Sequence, residues 1–279
     1  MKYHLTNINL NDKVLWPRAY DEVIETIQWG LTELGHEVTS GLNFIELNKV
    51  NILFGHRLLT IEQLENTPKN TIIYNLEQMY GLSVDDIRDI DKYAAENFQI
   101  WDYSSYHKDI WESLNPKYPP EIVPIGYAPI LTRIPKAEYN IDVLIYGETS
   151  NDRLRLYHLL CCAGIKAVYL CGIYGALRDD LISQSKIILN ISKHDKVKTF
   201  EIVRASYLFA NKKAFITDNS TADTIENDIK EAVYFFDRDT IVNDCERILA
   251  SDSERTLLEN RGYEAMVKRD IRKILASAV

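Results

Sequence analysis

Short apolar segments alternate with helix-like segments along the first half of the chain. Between the first two of these segments, apolar residues recur every three or four positions from Tyr20 to Leu34, which predicts an amphipathic helix that ends at Gly35. The apolar segments have the length and composition of buried β-strands. They are Tyr3 to Asn7, Val50 to Phe54, Thr71 to Asn75, Phe98 to Trp101 and Glu121 to Ile125.

The same alternation is more regular in the second half. Four further strands are predicted at Asp142 to Tyr146, Ala167 to Cys171, Ile187 to Ile191 and Ala214 to Thr217. The helices between them are predicted at Asp152 to Ala163, Leu177 to Ser183 and Phe200 to Ala210. The tail from Asp239 to Val279 is charged and is predicted to be helical.

Strands that are apolar on both faces and alternate with helices are typical of parallel sheets covered on both sides. A length of 279 residues favours about two domains. The segment from Pro129 to Asn140 carries two prolines and directly precedes a strand, so we predict that it is the linker. The pattern therefore predicts an α/β protein of two Rossmann-like domains, residues 1–130 and residues 131–279, the second with a helical tail.

Composition narrows the classes of partner and location. The net charge of −9 disfavours nucleic acid as a partner, because proteins that grip phosphates usually present a basic surface. No apolar run approaches the roughly 20 residues needed to span a bilayer, and the start of the chain lacks a signal-peptide core. We expect a cytoplasmic protein, with peripheral membrane contact left open. The four cysteines form no CxxC pair and are expected to be reduced and mostly buried.

In open parallel sheets, ligands bind beyond the carboxyl ends of strands and beside helix N-termini. The segment GETSNDRLR follows one predicted strand and begins a helix. Gly147 lets the backbone approach a ligand, and the N–H groups at Thr149 and Asn151 would favour an anion. Arg153 and Arg155 could add charge-assisted bonds to phosphate. A capped turn with solvated arginines is the alternative interpretation.

Two other loops lie at equivalent places. The segment from Ser192 to Thr199 carries three lysines and one aspartate before a helix for which Thr199 is a predicted N-cap. Lys198 and this helix start could hold phosphate, and Glu201 could accept bonds from ribose hydroxyls. Arg204 lies beside Glu201 at i,i+3, and an exposed ion pair is the alternative interpretation. In the third loop, Gly172 and Gly175 flank Ile173 and Tyr174, which suits a loop over a flat base.

Two polar residues in the first half follow predicted strands. His56 follows VNILFG, and Glu77 ends TIIYNLE. Either side chain could act as a general base toward an acceptor hydroxyl, although each could equally be an ordinary hydrogen-bonded loop residue. The sequence contains no HExxH, P-loop or GxSxG motif and no DxD-like metal motif in a suitable loop, and we predict no metal site. The absence of GxGxxG from the first half argues against a nicotinamide dehydrogenase.

Several segments, in order, match a known family. The chain resembles small bacterial GT-B glycosyltransferases related to the group 1 and spore-maturation types. No one of these segments is specific alone, but together they span about residues 50–218. They are NILFGHRLL (Asn51–Leu59), IIYNLEQM (Ile72–Met79), IWDYSSY (Ile100–Tyr106), VPIGYAPIL (Val123–Leu131), DVLIYG (Asp142–Gly147), GIYGALRDDLISQSKIILNIS (Gly172–Ser192) and FEIVRASYLFANKKAFITD (Phe200–Asp218).

The resemblance implies two Rossmann-like domains whose parallel sheets face a cleft. It implies hexosyl or pentosyl transfer from a nucleotide diphosphate sugar to an acceptor hydroxyl, without a cofactor or metal. The donor would bind the second domain, and a glycan, lipid-linked or other small acceptor would bind the first. By position, the Gly147 loop would face the diphosphate and the loop from Gly172 to Gly175 the base. Glu201 and Arg204 would contact ribose and phosphate.

The chain departs from this pattern at one place. Larger group 1 transferases carry two glutamates eight positions apart, and if Glu201 stands for the second, Lys193 occupies the position of the first. Retaining and inverting chemistry therefore both remain open. Three other interpretations also remain: a non-catalytic module that binds a nucleotide sugar or a partner, a phage-type enzyme that glycosylates modified DNA bases, and a sugar epimerase.

Overall fold

The computed structural model describes residues 1–10, 16–193 and 199–279, and the side chains of Trp16 and Val84 are not described. The chain divides into two compact units. Unit 1 comprises Met1–Ala128 and Arg269–Val279, and unit 2 comprises Pro129–Lys268. Each unit contains one sheet in which every described strand pair is parallel.

The sheet of unit 1 has six described strands in the order β2-β1-β3-β4-β5-β6. The helices that follow its strands along the chain are α1 to α4. The elements are β1 (Lys2–Asn7), α1 (Asp21–Glu33), β2 (Glu37–Leu42), β3 (Val50–Phe54), α2 (Ile61–Glu65), β4 (Ile72–Asn75), α3 (Asp89–Asn97), β5 (Gln99–Asp102), α4 (Lys108–Ser113) and β6 (Glu121–Ile122).

The sheet of unit 2 has five described strands in the order β11-β10-β9-β7-β8. The helices α5, α6 and α7 connect its strands, and α8 and α9 follow the last one. The elements are β7 (Ile141–Tyr146), α5 (Asn151–Cys162), β8 (Ala167–Leu170), α6 (Ala176–Ser183), β9 (Ser185–Asn190), α7 (Ile202–Ala210), β10 (Phe215–Asp218), β11 (Tyr234–Phe236), α8 (Ile241–Ala250) and α9 (Asp252–Lys268).

The central strands are buried on both faces, which is why they appear in the sequence as continuous apolar runs. In unit 1, Leu53, Ile73 and Ile100 pack with the helices on one face. In unit 2, residues of β7, β9 and β10 form one cluster with side chains of α5 and α8. The prediction of two α/β units with parallel sheets is confirmed by these pairings.

The last helix, α10 (Ile271–Ala278), packs in unit 1 although the sequence prediction grouped the whole tail with the second domain. Ile271 and Leu275 are fully buried, and both lie against Gly30 of α1. Ile271 N–H also donates to the carbonyl of Tyr127 over 3.2 Å. The difference from the prediction arises because the absence of a side chain at Gly30 leaves room for these two apolar residues.

Two edge strands and the cysteines differ from the sequence expectations. The strands β2 and β11, which were not predicted, lie at the edges of their sheets. The residues of β2 (EVTSGL) are mixed apolar and polar and gave no signal for a buried strand, whereas β11 (YFF) is apolar but only three residues long. Cys161 and Cys162 are exposed at the end of α5, and Cys171 is exposed just beyond the edge strand β8. Only Cys245 is buried as expected, because it faces the core from α8.

Candidate functional site

Several strands end in a buried polar residue at the carboxyl edge of their sheet. In unit 1 these residues are Asn7, Asn75 and Asp102, and in unit 2 they are Asn190 and Asp218. Because all strands of a sheet run in parallel, the polar groups within each unit lie along one edge. The carboxyl edges of the two sheets are therefore where ligand binding and catalysis are expected.

The turn after β7 brings the backbone close to two guanidinium groups. Gly147 has a φ of +129°, a conformation that side chains rarely permit. A Cβ at Gly147 would lie 2.9 Å from Nη2 of Arg204 and 3.1 Å from Nη1 of Arg153. The helix α5 follows with Ser150 as its N-cap, whose Oγ accepts the backbone N–H of Arg153 over 3.2 Å. The predicted residues Thr149 and Asn151 are exposed beside this turn.

Arg153 is held below the turn by neutral oxygen atoms. Its Nε donates to the carbonyl of Ile191 over 2.7 Å, and its Nη1 donates to the carbonyl of Glu148 over 2.8 Å. The side chain is only 3% exposed. Burial lowers the pKa of Arg153, and the nearby charge of Arg204 lowers it further. The site therefore holds two positive charges close together, and a bound anion would offset the repulsion between them.

Arg204, from α7, completes the pair. Its Nη1 donates to Oδ1 of Asn190, and its guanidinium lies 5.0 Å from the ring centroid of Tyr146. Within residues 1–10, 16–193 and 199–279, no carboxylate lies within ion-pair distance of Arg153 or Arg204. The hydrogen bonds that hold both arginines therefore come from neutral groups.

The segment before α7 differs in part from the prediction. The N-cap residue of α7 is Glu201 and not Thr199, which is buried. The charge of Glu201 raises the pKa of Arg153, opposing the larger effect of burial, so its carboxylate is close to the arginine pair. Lys198 lies outside the described residues, and Lys193 just before the gap forms an ion pair with Glu148.

The third predicted loop lies near the same arginine. Gly172 and Gly175 have φ values of +70° and +65°, so both use conformations that favour glycine. Tyr174 between them is half-buried, and burial raises its pKa while the charge of Arg204 lowers it. The structure thus brings Gly147, Arg153 and Arg204 together, with Tyr174 close enough to interact with this charge.

Tyr146 and Asn190, which hold Arg204, were not among the predicted site residues. Both residues end an apolar strand, in DVLIY and in IILN, at the carboxyl edge where ligands are expected. The polar last residue of a buried strand was therefore an available signal. Their partnership with Arg204 could not be inferred, because it joins β7, β9 and α7.

In unit 1, His56 lies in a buried ion-pair network. Its Nε2 lies 2.8 Å from Oδ1 of Asp91, and the same oxygen accepts Nε of Arg57 over 2.9 Å. Burial raises the pKa of Asp91, but the bonds and charges of His56 and Arg57 outweigh this effect and bring the pKa to about 2. The ring of His56 is 1% exposed, so it is held inside the unit.

Glu77 is connected to this network but is more accessible. Its Oε1 accepts the hydroxyl of Tyr20, and its Oε2 lies 3.9 Å from Nη1 of Arg57. Its side chain is 31% exposed. Burial and the charge of Glu77 raise the pKa of Tyr20, which keeps the hydroxyl protonated as the donor. Glu77 therefore presents a positioned carboxylate at the carboxyl edge of the sheet.

A second buried carboxylate, Asp102, was not identified from the sequence. Its Oδ2 accepts from Asn75 and from Trp111, each over 2.7 Å. Its Oδ1 lies 2.9 Å from Nδ1 of His107. Because Nε2 of His107 accepts the N–H of Met79 over 3.2 Å, its Nδ1 carries the proton toward Asp102. This network is fully buried and joins the ends of β4 and β5 to α4.

No protein-family model matches the chain. An uncharacterized protein of Acanthamoeba polyphaga mimivirus is 26% identical over 197 residues, which are 67% of this chain and 68% of that protein. Similar solved structures are glycosyltransferases. AviGT4, a glycosyltransferase involved in avilamycin A biosynthesis, has a TM-score of 0.63 at 14% identity and covers 99% of this chain and 96% of its own.

Two further structures match the whole chain. T4 phage BGT, in complex with its UDP-glucose substrate, has a TM-score of 0.62 at 14% identity and covers 100% of this chain and 98% of its own. HepE of Anabaena, in complex with UDP-glucose, has a TM-score of 0.62 at 8% identity, covering 100% and 99%. The chain therefore has the GT-B fold of nucleotide-sugar glycosyltransferases. In the described ranges, no helix is long and apolar enough to cross a membrane.

Proposed function

We propose that the chain is a glycosyltransferase that takes a sugar from a nucleotide diphosphate sugar and transfers it to an acceptor hydroxyl. The observation that carries this proposal is the pair of arginines around Gly147, held by neutral partners at the carboxyl edge of the unit 2 sheet. Two adjacent guanidinium groups that form no direct ion pair match the charge and geometry of a diphosphate. The similar structures with UDP-glucose make uridine the first base to test.

The same arginines would serve the reaction as well as binding. When the glycosidic bond to the donor phosphate breaks, negative charge builds on the leaving diphosphate. Arg153 and Arg204 are already fixed in place, so they can stabilise this charge without reorganising, which is the largest contribution in many enzymes. Tyr174 and Glu201 lie near enough to contact the nucleoside. That the reaction needs neither a cofactor nor a metal ion stays a prediction.

Unit 1 would bind the acceptor and supply the general base if the reaction inverts. Glu77 fits this role better than His56, because its carboxylate is partly exposed and already oriented by Tyr20. Most of the acidic excess of the chain falls within unit 1. A neutral glycan or other uncharged acceptor group is therefore favoured over a polyanion such as DNA.

We also propose that the chain is related to the small bacterial transferases of the group 1 and spore-maturation types. A cytoplasmic location is part of the same proposal. The lipid-linked alternative for the acceptor remains part of it as well. Whether the anomeric configuration of the transferred sugar is retained or inverted is determined by analysing the product.

A thermal-shift panel tests the proposal. UDP, GDP, ADP and their sugars are added to the wild type, to Arg204→Met and to a control, Arg247→Met. Arg247 lies on α8 and pairs with Glu254 on α9. A ligand of the folded state raises the melting temperature by mass action. We expect one diphosphate nucleotide to stabilise the wild type and the control but not Arg204→Met. Binding without release of the nucleotide from its sugar would indicate a non-catalytic module, and no shift with any ligand would contradict the proposal.

A further inference from the structure

Asn190 holds Arg204 in place without neutralising it. Asn190 is the last residue of β9 and is 1% exposed. Its Nδ2 donates to Oγ1 of Thr217 on the neighbouring strand β10 over 2.9 Å. The amide nitrogen is therefore turned toward Thr217, and the amide oxygen is turned toward the guanidinium of Arg204, which donates to it. The guanidinium can only donate and therefore selects the amide oxygen, while the hydroxyl of Thr217 accepts a hydrogen bond from the amide nitrogen.

The other direct contacts of the arginine pair are neutral as well, and the carboxylate of Glu201 acts on Arg153 only through its charge. Tyr146 supports the guanidinium of Arg204 through its ring, and Arg153 donates to two backbone carbonyls. An aspartate in place of Asn190 would be the same size and could also accept the hydroxyl of Thr217. It would form an ion pair with Arg204 that offsets the repulsion from Arg153. A purely structural role would therefore be performed at least as well by aspartate.

We infer that Asn190 is a positioning residue for the donor diphosphate, and that its neutral amide is what leaves Arg204 able to bind a doubly charged anion. This inference rests on the proposed function, because it names the residue that makes the arginine pair selective for phosphate. It predicts a conflict between stability and binding at this position. The aspartate variant should be as stable as the wild type or more stable, and it should bind diphosphate poorly.

The test compares Asn190→Asp and Asn190→Ala with the wild type. Asn140→Asp is the matched control, because Asn140 is exposed at the start of β7 and adds the same charge to unit 2 at the opposite edge of the sheet. Melting temperatures are measured without ligand, and calorimetry measures affinity for UDP, uridine and inorganic pyrophosphate. Uridine lacks the phosphates and therefore reports on the rest of the site.

We expect Asn190→Asp to weaken binding of UDP and pyrophosphate by about tenfold to a hundredfold, while its melting temperature does not fall. Affinity for uridine should stay unchanged. Asn190→Ala should weaken UDP binding less and should lower the melting temperature, because it leaves Thr217 and Arg204 without their buried partner. Asn140→Asp should bind all three ligands as the wild type does.

The outcomes separate this inference from the proposed function. If UDP binds the wild type and Asn190→Asp with the same affinity, the inference is wrong and the proposed function stands. If both Asn190 variants lose stability and UDP binding equally, Asn190 has only a structural role and the inference is wrong. If pyrophosphate alone binds, and Asn190→Asp loses it, the inference stands and the proposed function fails. If the wild type binds none of these ligands, both fail.

Discussion

Nε2 of His56 lies 2.8 Å from Oδ1 of Asp91, and both side chains are almost completely buried. Arg57 donates to the same oxygen, so one carboxylate joins the end of β3 to α3. A base must reach a substrate proton, and a ring that is enclosed and paired in this way is better suited to support the fold. His56 is thus a less suitable base than Glu77.

The Asp91 network predicts a pH-dependent stability of unit 1. The pKa of Asp91 is about 2 in the folded state and 3.8 in its ordinary state. A lowered pKa stabilises the fold at pH values above the ordinary pKa, and this contribution is lost as the pH falls through the folded value. The shift corresponds to about 2 kcal/mol near neutral pH, of which about half is lost near pH 3.

Asp91→Asn should therefore lower the unfolding free energy of unit 1 by about 2 kcal/mol near pH 7, and the difference from the wild type should narrow toward pH 3. Urea unfolding followed by tryptophan fluorescence measures this, because all four tryptophans belong to unit 1. Asp89→Asn is the control, since Asp89 is largely exposed on the same helix. A pH-independent difference between Asp91→Asn and the wild type would refute the assignment.

If the reaction inverts, Glu77→Gln should strongly reduce transfer while leaving donor binding intact. An amide keeps the size of the side chain and can accept the hydroxyl of Tyr20, but it cannot take up a proton. Loss of a general base lowers turnover by about a hundredfold to ten-thousandfold. The measurement is nucleotide release from the donor identified by the binding panel, with water as the acceptor, beside the donor affinity itself.

Two variants calibrate the Glu77 result. Glu65→Gln removes an exposed carboxylate at the end of α2 and should leave turnover unchanged. His56→Gln should lower the stability of unit 1, and its turnover per folded molecule should stay close to that of the wild type. Wild-type turnover in Glu77→Gln, or a complete loss in folded His56→Gln, would reverse the assignment of the base.

The sequence predicted the central strands because burial on both faces leaves a continuous apolar run, as in DVLIY. It did not predict β2, whose residues EVTSGL are mixed apolar and polar, or β11, which is apolar but only three residues long. The candidate site shows the same division. Gly147 and Arg153 were found because they follow a strand directly, whereas the contact between Asn190 and Arg204 depends on packing between distant segments. The docking of α10 also depends on such packing.

Leu275→Ala tests whether α10 belongs to unit 1. Leu275 is fully buried against Gly30, so its truncation leaves a cavity that should cost about 2–5 kcal/mol of unfolding free energy. The tryptophan transition should move to lower urea, and Trp29 is a direct reporter because the guanidinium of Arg272 lies 5.3 Å from its ring. Ser277→Ala, on the exposed face of α10, is the control. An unchanged transition in Leu275→Ala would contradict the packing on α1.

Gly147→Ala should weaken donor binding more than it weakens the fold. The new Cβ would meet Nη2 of Arg204 at 2.9 Å and Nη1 of Arg153 at 3.1 Å, and these flexible ends can move aside. Their displacement relieves the clash but moves both positive charges away from the expected diphosphate. We therefore expect the affinity for UDP to fall by at least about tenfold.

Gly164→Ala is the matched control for backbone strain. Gly164 also has a positive φ, of +83°, and lies in unit 2, but nothing lies within 4 Å of the Cβ that alanine would add. Its substitution should cost about 1–2 kcal/mol of stability, the ordinary penalty of that conformation, and should leave UDP affinity unchanged. Melting temperature and calorimetric affinity are measured for both variants. If Gly147→Ala loses stability as Gly164→Ala does but binds UDP normally, the two arginines do not hold the diphosphate.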